Sequence, residues 1–282
     1  MDNDERECAL SDLQKKLLDL FTWFHDFCVE NKITYYALGG TMLGAARHKG
    51  FIPWDDDVDV GIPRADYERL KTIVAQTETG KYMFEFPDSD DELFATPYTK
   101  LYDASTTLTE NYRKPLKRGI FIDVFPLDGT GNTEKESRRF CKKIKNGYNF
   151  FMTRVAAVNK NRSGLKNFAI IISRLIPYSI CKTRNLRVNL DKRAAKFNLN
   201  GSKFGGNVFG NWGYREIMES SVLGNPTEYE FNGLTIFGVE KYDEYLTNLY
   251  GDWRKLPPEE KRITHHDYLE LDLNKAYAEE EK

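Results

Sequence analysis

Apolar residues at the start of the chain follow a helical period and then switch to alternation. Leu13, Leu17, Leu20, Phe21, Phe24 and Cys28 recur at three- and four-residue spacing, which predicts an amphipathic helix over 11–31. Ser11 and Gln14 stand where a capping box would open it. "ITYYAL" (33–38) predicts a strand, and "GGTMLGAAR" a glycine turn that opens a short helix. "DVDVGI" (57–62) alternates polar and apolar residues, the period of a half-buried strand. Pro63 then suits the start of a helix through "RADYERLKTIVAQ".

Further strands are predicted at 81–86, 98–103 and 119–125. Residues 133–199 read as mostly helical, with a break near Pro177. "YEFNGLTIFG" (229–238) predicts a hairpin that turns at Asn232-Gly233, where positive φ is needed. A helix over 241–250 ends at Gly251. "KLPPEEKRITHHDY" begins the last ordered segment.

Composition sets the class. The 282 residues suit one large domain or a core with an appended lobe. A hydrophobic share of 40%, with 13% aromatic, can build a sizeable core and argues against general disorder. The start, "MDNDERECALSD", lacks the apolar run of a signal peptide. "FAIIISRLIPYSIC" is interrupted by Arg174 and Pro177 and is too short to span a bilayer. Cys8, Cys28, Cys141 and Cys181 are scattered without metal-ligand spacing, as in a reduced, cytoplasmic protein.

A net charge of −2 conceals an uneven distribution. Residues 137–203 hold 17 Lys and Arg and one acid, Asp191, which leaves 24 basic and 42 acidic residues elsewhere. Such a basic segment predicts a surface for an anionic partner, against the plainer reading of a solvated helical face.

The acids are densest in "GFIPWDDDVDVGIP" (50–63). Side chains alternate along a strand, so Asp55, Asp57 and Asp59 share one face if the strand starts early enough. Asp56 falls with Val58, Val60 and Ile62 and is expected to turn to solvent at the strand's mouth. Three carboxylates on one face call for a hard divalent cation, Mg²⁺ or Mn²⁺. A calcium loop fails on spacing: Val60 stands where that loop needs Gly, and Asp66 where it needs Glu. Asp123, in the apolar run "GIFIDVFPLD", would complete a cation site if its strand neighbours 57–62. Gly39, Gly40 and Thr41 open a helix whose amino end suits a phosphate.

The block "ALGGTMLGAARHKGFIPWDDDVDVGIPRADYERL", with "TKLYD", "FIDVFPLD" and "YGDWRKLPPEEKRITHH", strongly resembles the LicD family of the nucleotidyltransferase superfamily, related to fukutin-related enzymes. The similarity covers roughly 33–125 and about 228–266. It implies an α+β fold, a nucleotidyltransferase-like mixed sheet flanked by helices with an inserted basic helical segment. The divisions expected are a catalytic core at 1–132, the basic segment at 133–203, and a C-terminal part at 204–282 that completes the catalytic domain.

Family members move a phospho-alcohol from a CDP-linked donor to a glycan hydroxyl, and bacterial ones add phosphocholine to cell-surface polysaccharides such as teichoic acid or lipopolysaccharide. By resemblance, Asp55, Asp57, Asp59 and Asp123 match the acidic positions and Gly39, Gly40 and Thr41 the phosphate-side turn. The expected donor is CDP-choline or a related CDP-alcohol such as CDP-ribitol or CDP-glycerol. Mg²⁺ at Asp57, Asp59 and Asp123 would bridge its pyrophosphate, and Asp123 or Asp55 would act as general base. Lys100, Arg47, His48 and Lys49 are candidate phosphate contacts, and His265 and His266 candidate nucleotide or proton contacts. Trp54, Tyr98 and Tyr102 are candidate stacking partners for cytosine or choline. A glycan or lipid-linked oligosaccharide acceptor, peripheral contact with the anionic inner leaflet through "NFAIIISRLIPYSICKTRNLR", and no nucleic acid complete the expected partners. The rival readings are a nucleotidyltransferase that releases pyrophosphate and a non-catalytic glycan-binding protein on the same fold.

Overall fold

The computed structural model describes residues 10–159, 163–177, 180–262, 264 and 268–278. The chain opens with α1 (Asp12–Glu30), whose capping box is formed as predicted: Ser11 Oγ accepts from the Gln14 amide, and Gln14 Oε1 accepts from the Ser11 amide. β1 (Tyr36–Ala37) is shorter than predicted, and α2 (Gly39–His48) begins at the glycines themselves. β2 (Asp59–Pro63) leads directly into α3 (Arg64–Val74). There follow β3 (Tyr82–Glu85), β4 (Thr99–Asp103), β5 (Thr107–Glu110), β6 (Leu116–Arg118) and the long β7 (Phe121–Gly131). The basic segment folds as α4 (Glu134–Val155), α5 (Gly164–Ser173) and α6 (Thr183–Ala194). β8 (Phe204–Asn207), β9 (Ile217–Glu219), β10 (Thr227–Phe231), β11 (Leu234–Gly238), α7 (Tyr242–Tyr250) and β12 (Tyr268–Asp272) complete the chain.

The main sheet is mixed and runs β10-β11-β1-β2-β7-β4-β3. β7 is its spine. β2 lies parallel along one side, while β4 and then β8 pair antiparallel along the other. Residues after 203 therefore build parts of the same sheet as the first 132. β12, β5 and β6 form a separate small sheet. The core joins Leu17, Leu20, Phe21 and Phe24 of α1 to Val60 and Ile62 of β2 and Ile122 and Val124 of β7, all nearly inaccessible. This is the mixed α+β architecture that the sequence implied.

The helical segment is fastened to the sheet by charge. The Arg64 guanidinium donates to both carboxylate oxygens of Asp128, each at 2.8 Å, and to Asp191 at 2.7 Å. α3, β7 and α6 thus meet at one buried arginine, in the bidentate geometry that makes such pairs strong. The single acid of the basic segment is used inside the protein.

The predicted strand over 57–62 starts two residues late, at Asp59. The Gln14 side-chain Nε2 donates to the carbonyls of Ile52 and Asp55, and the Asp55 backbone amide to the Ile52 carbonyl. These bonds engage the backbone of Ile52 and Asp55 without a strand partner, so the first acids lie on a held loop.

Candidate active site

Asp59 and Asp123 are direct partners in the parallel pairing of β2 with β7, and Lys100 on β4 is the antiparallel partner of Asp123. Partners in register project to the same face, so these three side chains line up across three strands. The Asp59 amide donates to Thr41 Oγ1 at 2.8 Å, and the Leu38 amide to the Asp59 carbonyl at 3.0 Å. α2 is thereby locked beside the acidic residue.

The glycines at the start of α2 admit carboxylates of the chain itself. A Cβ on Gly40 would stand 2.6 Å from Asp55 Oδ2, and one on Gly39 3.2 Å from Asp59 Oδ2. Gly39 also has φ +49°, which side chains rarely adopt. The positive end of α2 offsets part of the charge gathered there.

The cluster is electrostatically loaded. Burial first, and then the charges of Asp57, Asp123, Asp55 and Glu216, push the Asp59 carboxyl well above the usual carboxylate range. Burial and the charges of Asp59, Asp55, Glu216 and Asp57 push the Tyr250 phenol up in turn. Asp55 and Asp57 therefore join Asp59 and Asp123, although from a loop rather than from alternate positions of one strand.

Asp56 goes elsewhere, and not to open solvent. It is half-buried and lines a cavity of about 180 Å³ with Asp57, Leu108, Glu110, Tyr112 and Phe121. It is not among the charges that act most on Asp59, and its own charge acts on Tyr268.

Lys100 is buried. Its ammonium lies 3.0 Å from Glu110, 3.3 Å from Asp123 and 3.2 Å from the centre of the Phe121 ring. Burial opposes its charge, yet Asp123 and Glu110 hold its pKa above the ordinary lysine value. Arg47 donates to the Trp253 carbonyl and to His48 Nε2, and Lys49 pairs with Glu230 at 3.3 Å. Tyr98 packs on Phe125 and Tyr102 on Phe121, while the Arg262 guanidinium covers Trp54. His265 and His266 lie outside the described residues.

Three site residues escaped sequence reasoning. Glu216, just before β9, is buried, accepts from the Trp212 amide at 2.8 Å, and is pushed up to about 7, chiefly by burial. Tyr245 Oη on α7 accepts from the Gly39 amide at 2.9 Å, and Tyr250 ends the same helix. Only the tertiary approach of α7 to α2, and of Glu216 to Asp59, brings them in. "YLTNLY" reads as an ordinary amphipathic helix.

Among the described residues, no three His, Cys, Asp or Glu side chains form a ready-made metal cage. The residues nonetheless fit a hard divalent cation in chemistry. The donors are carboxylate oxygens, and their mutual repulsion, expressed at Asp59, is what a cation would relieve.

A profile of the LicD/FKTN/FKRP nucleotidyltransferase domain matches residues 32–153. The lipopolysaccharide cholinephosphotransferase LicD of Haemophilus influenzae is 30% identical over 266 residues, which cover 93% of this chain and 97% of that protein. The chain belongs to the LicD family. A shorter match joins it to the human ribitol 5-phosphate transferase FKRP, 60% identical over 30 residues, 11% of this chain and 6% of that one. The LicD-family domain match holds Asp55, Asp57, Asp59, Lys100 and Asp123, and ends before Glu216 and Tyr250.

Proposed function

We propose that this protein transfers phosphocholine, or a related phospho-alcohol, from a CDP-linked donor to a hydroxyl of a cell-surface glycan. The observation that carries the reading is the in-register pair Asp59–Asp123, with Asp55 and Asp57 drawn to the same point. The Haemophilus relative, named for phosphocholine transfer to lipopolysaccharide, supports the transferred group and the acceptor class. The FKRP match makes ribitol phosphate the second transferred group to test.

In the reaction, the glycan oxygen forms a bond to the alcohol-bearing phosphorus. The bond from that phosphorus to the oxygen bridging to CMP breaks, and CMP leaves. The proton of the glycan hydroxyl passes to a carboxylate of the cluster, Asp55 or Asp123. Asp57, Asp59 and Asp123 would hold Mg²⁺ or Mn²⁺, which supplies charge neutralisation at the pyrophosphate and the leaving CMP. Lys100 keeps Asp123 in place through its 3.3 Å contact. The half-buried position of the acids limits water around them. Positioning and electrostatics supply most of the rate.

The test is product analysis with Mg²⁺, lipopolysaccharide as acceptor, and a panel of CDP-choline, CDP-ribitol, CDP-glycerol, CTP and ATP. The expected result is CMP, with the labelled phospho-alcohol on the glycan. Pyrophosphate released from CTP or ATP, with no CMP from any CDP-alcohol, would make the protein a nucleotidyltransferase instead.

A further inference from the structure

α5 is almost uncovered. Of its ten residues only Ile170 and Ser173 are buried. Leu165 and Phe168 are 84% and 61% exposed, Ile171 and Ile172 about half exposed, and Leu175, just past the helix, 76% exposed. Leu165, Phe168, Ile172 and Leu175 recur at helical spacing and form one apolar stripe. Ile180, farther on, is 77% exposed.

The helix is held in place from its other side. Ser173 Oγ donates to the Thr153 carbonyl at 2.7 Å, the Arg154 guanidinium donates to the Ser173 carbonyl, and Asn167 Nδ2 donates to the Asn159 carbonyl at 2.8 Å. The stripe is therefore presented by an anchored helix. An exposed apolar surface of this kind marks an interaction.

Charge selects the partner. Lys166 and Arg174 are exposed, each next in sequence to a stripe residue (Leu165 and Leu175), and Lys182 follows, exposed as well. Arg113 lies near enough to Arg174 and Arg154 that their charges, after burial, lower its pKa. Asp191, the one acid of residues 137–203, is 2.7 Å from Arg64 on the sheet side. The stripe thus has cations around it and no acid of its own segment to balance them. A second copy docked by the same face would bring like charges together. An anionic bilayer answers both features, since apolar side chains enter the boundary between headgroups and acyl chains while cations meet the headgroups. No helix among the described residues is long and apolar enough to cross a membrane, and ten residues suit a helix that lies in the interface.

We propose that α5 is an interfacial anchor that seats the protein on an anionic lipid surface, with Leu165, Phe168, Ile172 and Leu175 inserted and Lys166, Arg174 and Lys182 on the headgroups. The anchor goes beyond the transfer reaction and does not depend on which donor is used.

Vesicle co-sedimentation of the full chain tests it, with phosphatidylcholine vesicles made with and without phosphatidylglycerol. Binding is expected only to the anionic vesicles at low salt, weakening at least about tenfold by ~0.5 M salt. The triple variant Leu165→Ser/Phe168→Ser/Leu175→Ser and the double variant Lys166→Glu/Arg174→Glu should each bind at least about tenfold more weakly. Both should melt like the wild type, because the altered side chains are exposed, and both should release CMP from a water-soluble acceptor assay at the wild-type rate. No binding to anionic vesicles at low salt, equal binding by wild type and triple variant, or a self-association that the triple variant abolishes while no form binds vesicles would overturn the anchor. None of these outcomes touches the donor assay, so the two proposals fail separately.

Discussion

Asp59 stands directly opposite Asp123 on two parallel strands, and both belong to the same charge cluster. Nothing in the packing of β2 against β7 requires two acids there. Val60–Val124 is the next pair along, and both valines are fully buried. Two facing acids at the edge of an apolar core cost stability in the absence of a cation, and that cost gives the site its first signature.

Asp59→Asn and Asp123→Asn should each lower transfer by at least ~10³-fold, the scale of a lost charge-stabilising contact worth several kcal/mol. Asp59→Asn should also melt at or above the wild-type temperature in the presence of a chelator, because it removes repulsion rather than packing. Turnover and thermal melts on the same preparations check both halves. An Asp59→Asn protein that unfolds would mean that the carboxylate is structural.

Asp57→Asn should be nearly as damaging as Asp59→Asn, whereas Asp56→Asn should cost less than about tenfold in rate, since Asp57 is the charge that acts most on Asp59 and Asp56 is not among the leading ones. Side-by-side rates of the two asparagine variants decide this. Equal damage at both positions would contradict the division found between these neighbours.

Lys100→Met should destabilise the fold by ~3–5 kcal/mol, because it strands Asp123 and Glu110 without their buried counter-charge. Adding Glu110→Gln should restore part of the loss. Denaturant titration of the single and double variants measures the coupling. A single variant as stable as the wild type would show that the lysine is dispensable to the sheet.

Glu216 sets a pH dependence. Its folded value, raised by burial from 4.5 to about 7, means that the folded chain holds a proton between those values that the unfolded chain has lost. The Glu216 contribution to stability is therefore full below about pH 4.5 and is lost as the pH rises to about 7, by at most ~1.4 kcal/mol per unit. Asp59 contributes in the same direction. Glu216→Gln should remove one proton's share of the slope, as read by denaturant unfolding at several pH values with a chelator present.

Local chemistry made much of this legible in the sequence. The Ser11–Gln14 capping box, the turn at Asn232-Gly233 with φ of +50° and +81°, and the helix stop at Gly251 are decided by neighbours in the chain and formed as read. Asp123 stood out because an acid in so apolar a strand needs a reason. The short strands β5, β6, β8, β9 and β12 did not stand out. β8 is "FGGN" and β9 is "IME", too brief or too rich in glycine to show a period, and only their partners make them strands. Parity along 55–59 put Asp55 and Asp57 on one strand face with Asp59, whereas the structure brings their charges to Asp59 from a loop, since Gln14, distant in sequence, holds that stretch. Glu216 and Tyr250 needed the folded chain, because their meaning lies in what they approach.

Equilibrium binding of Mn²⁺ tests the central claim most directly. The wild type should bind the ion, Asp59→Asn and Asp123→Asn should bind it at least ~10-fold more weakly, and Asp56→Asn should match the wild type. No detectable binding by the wild type, or equal affinity in the wild type and Asp59→Asn, would contradict a cation site built on the Asp59–Asp123 pair.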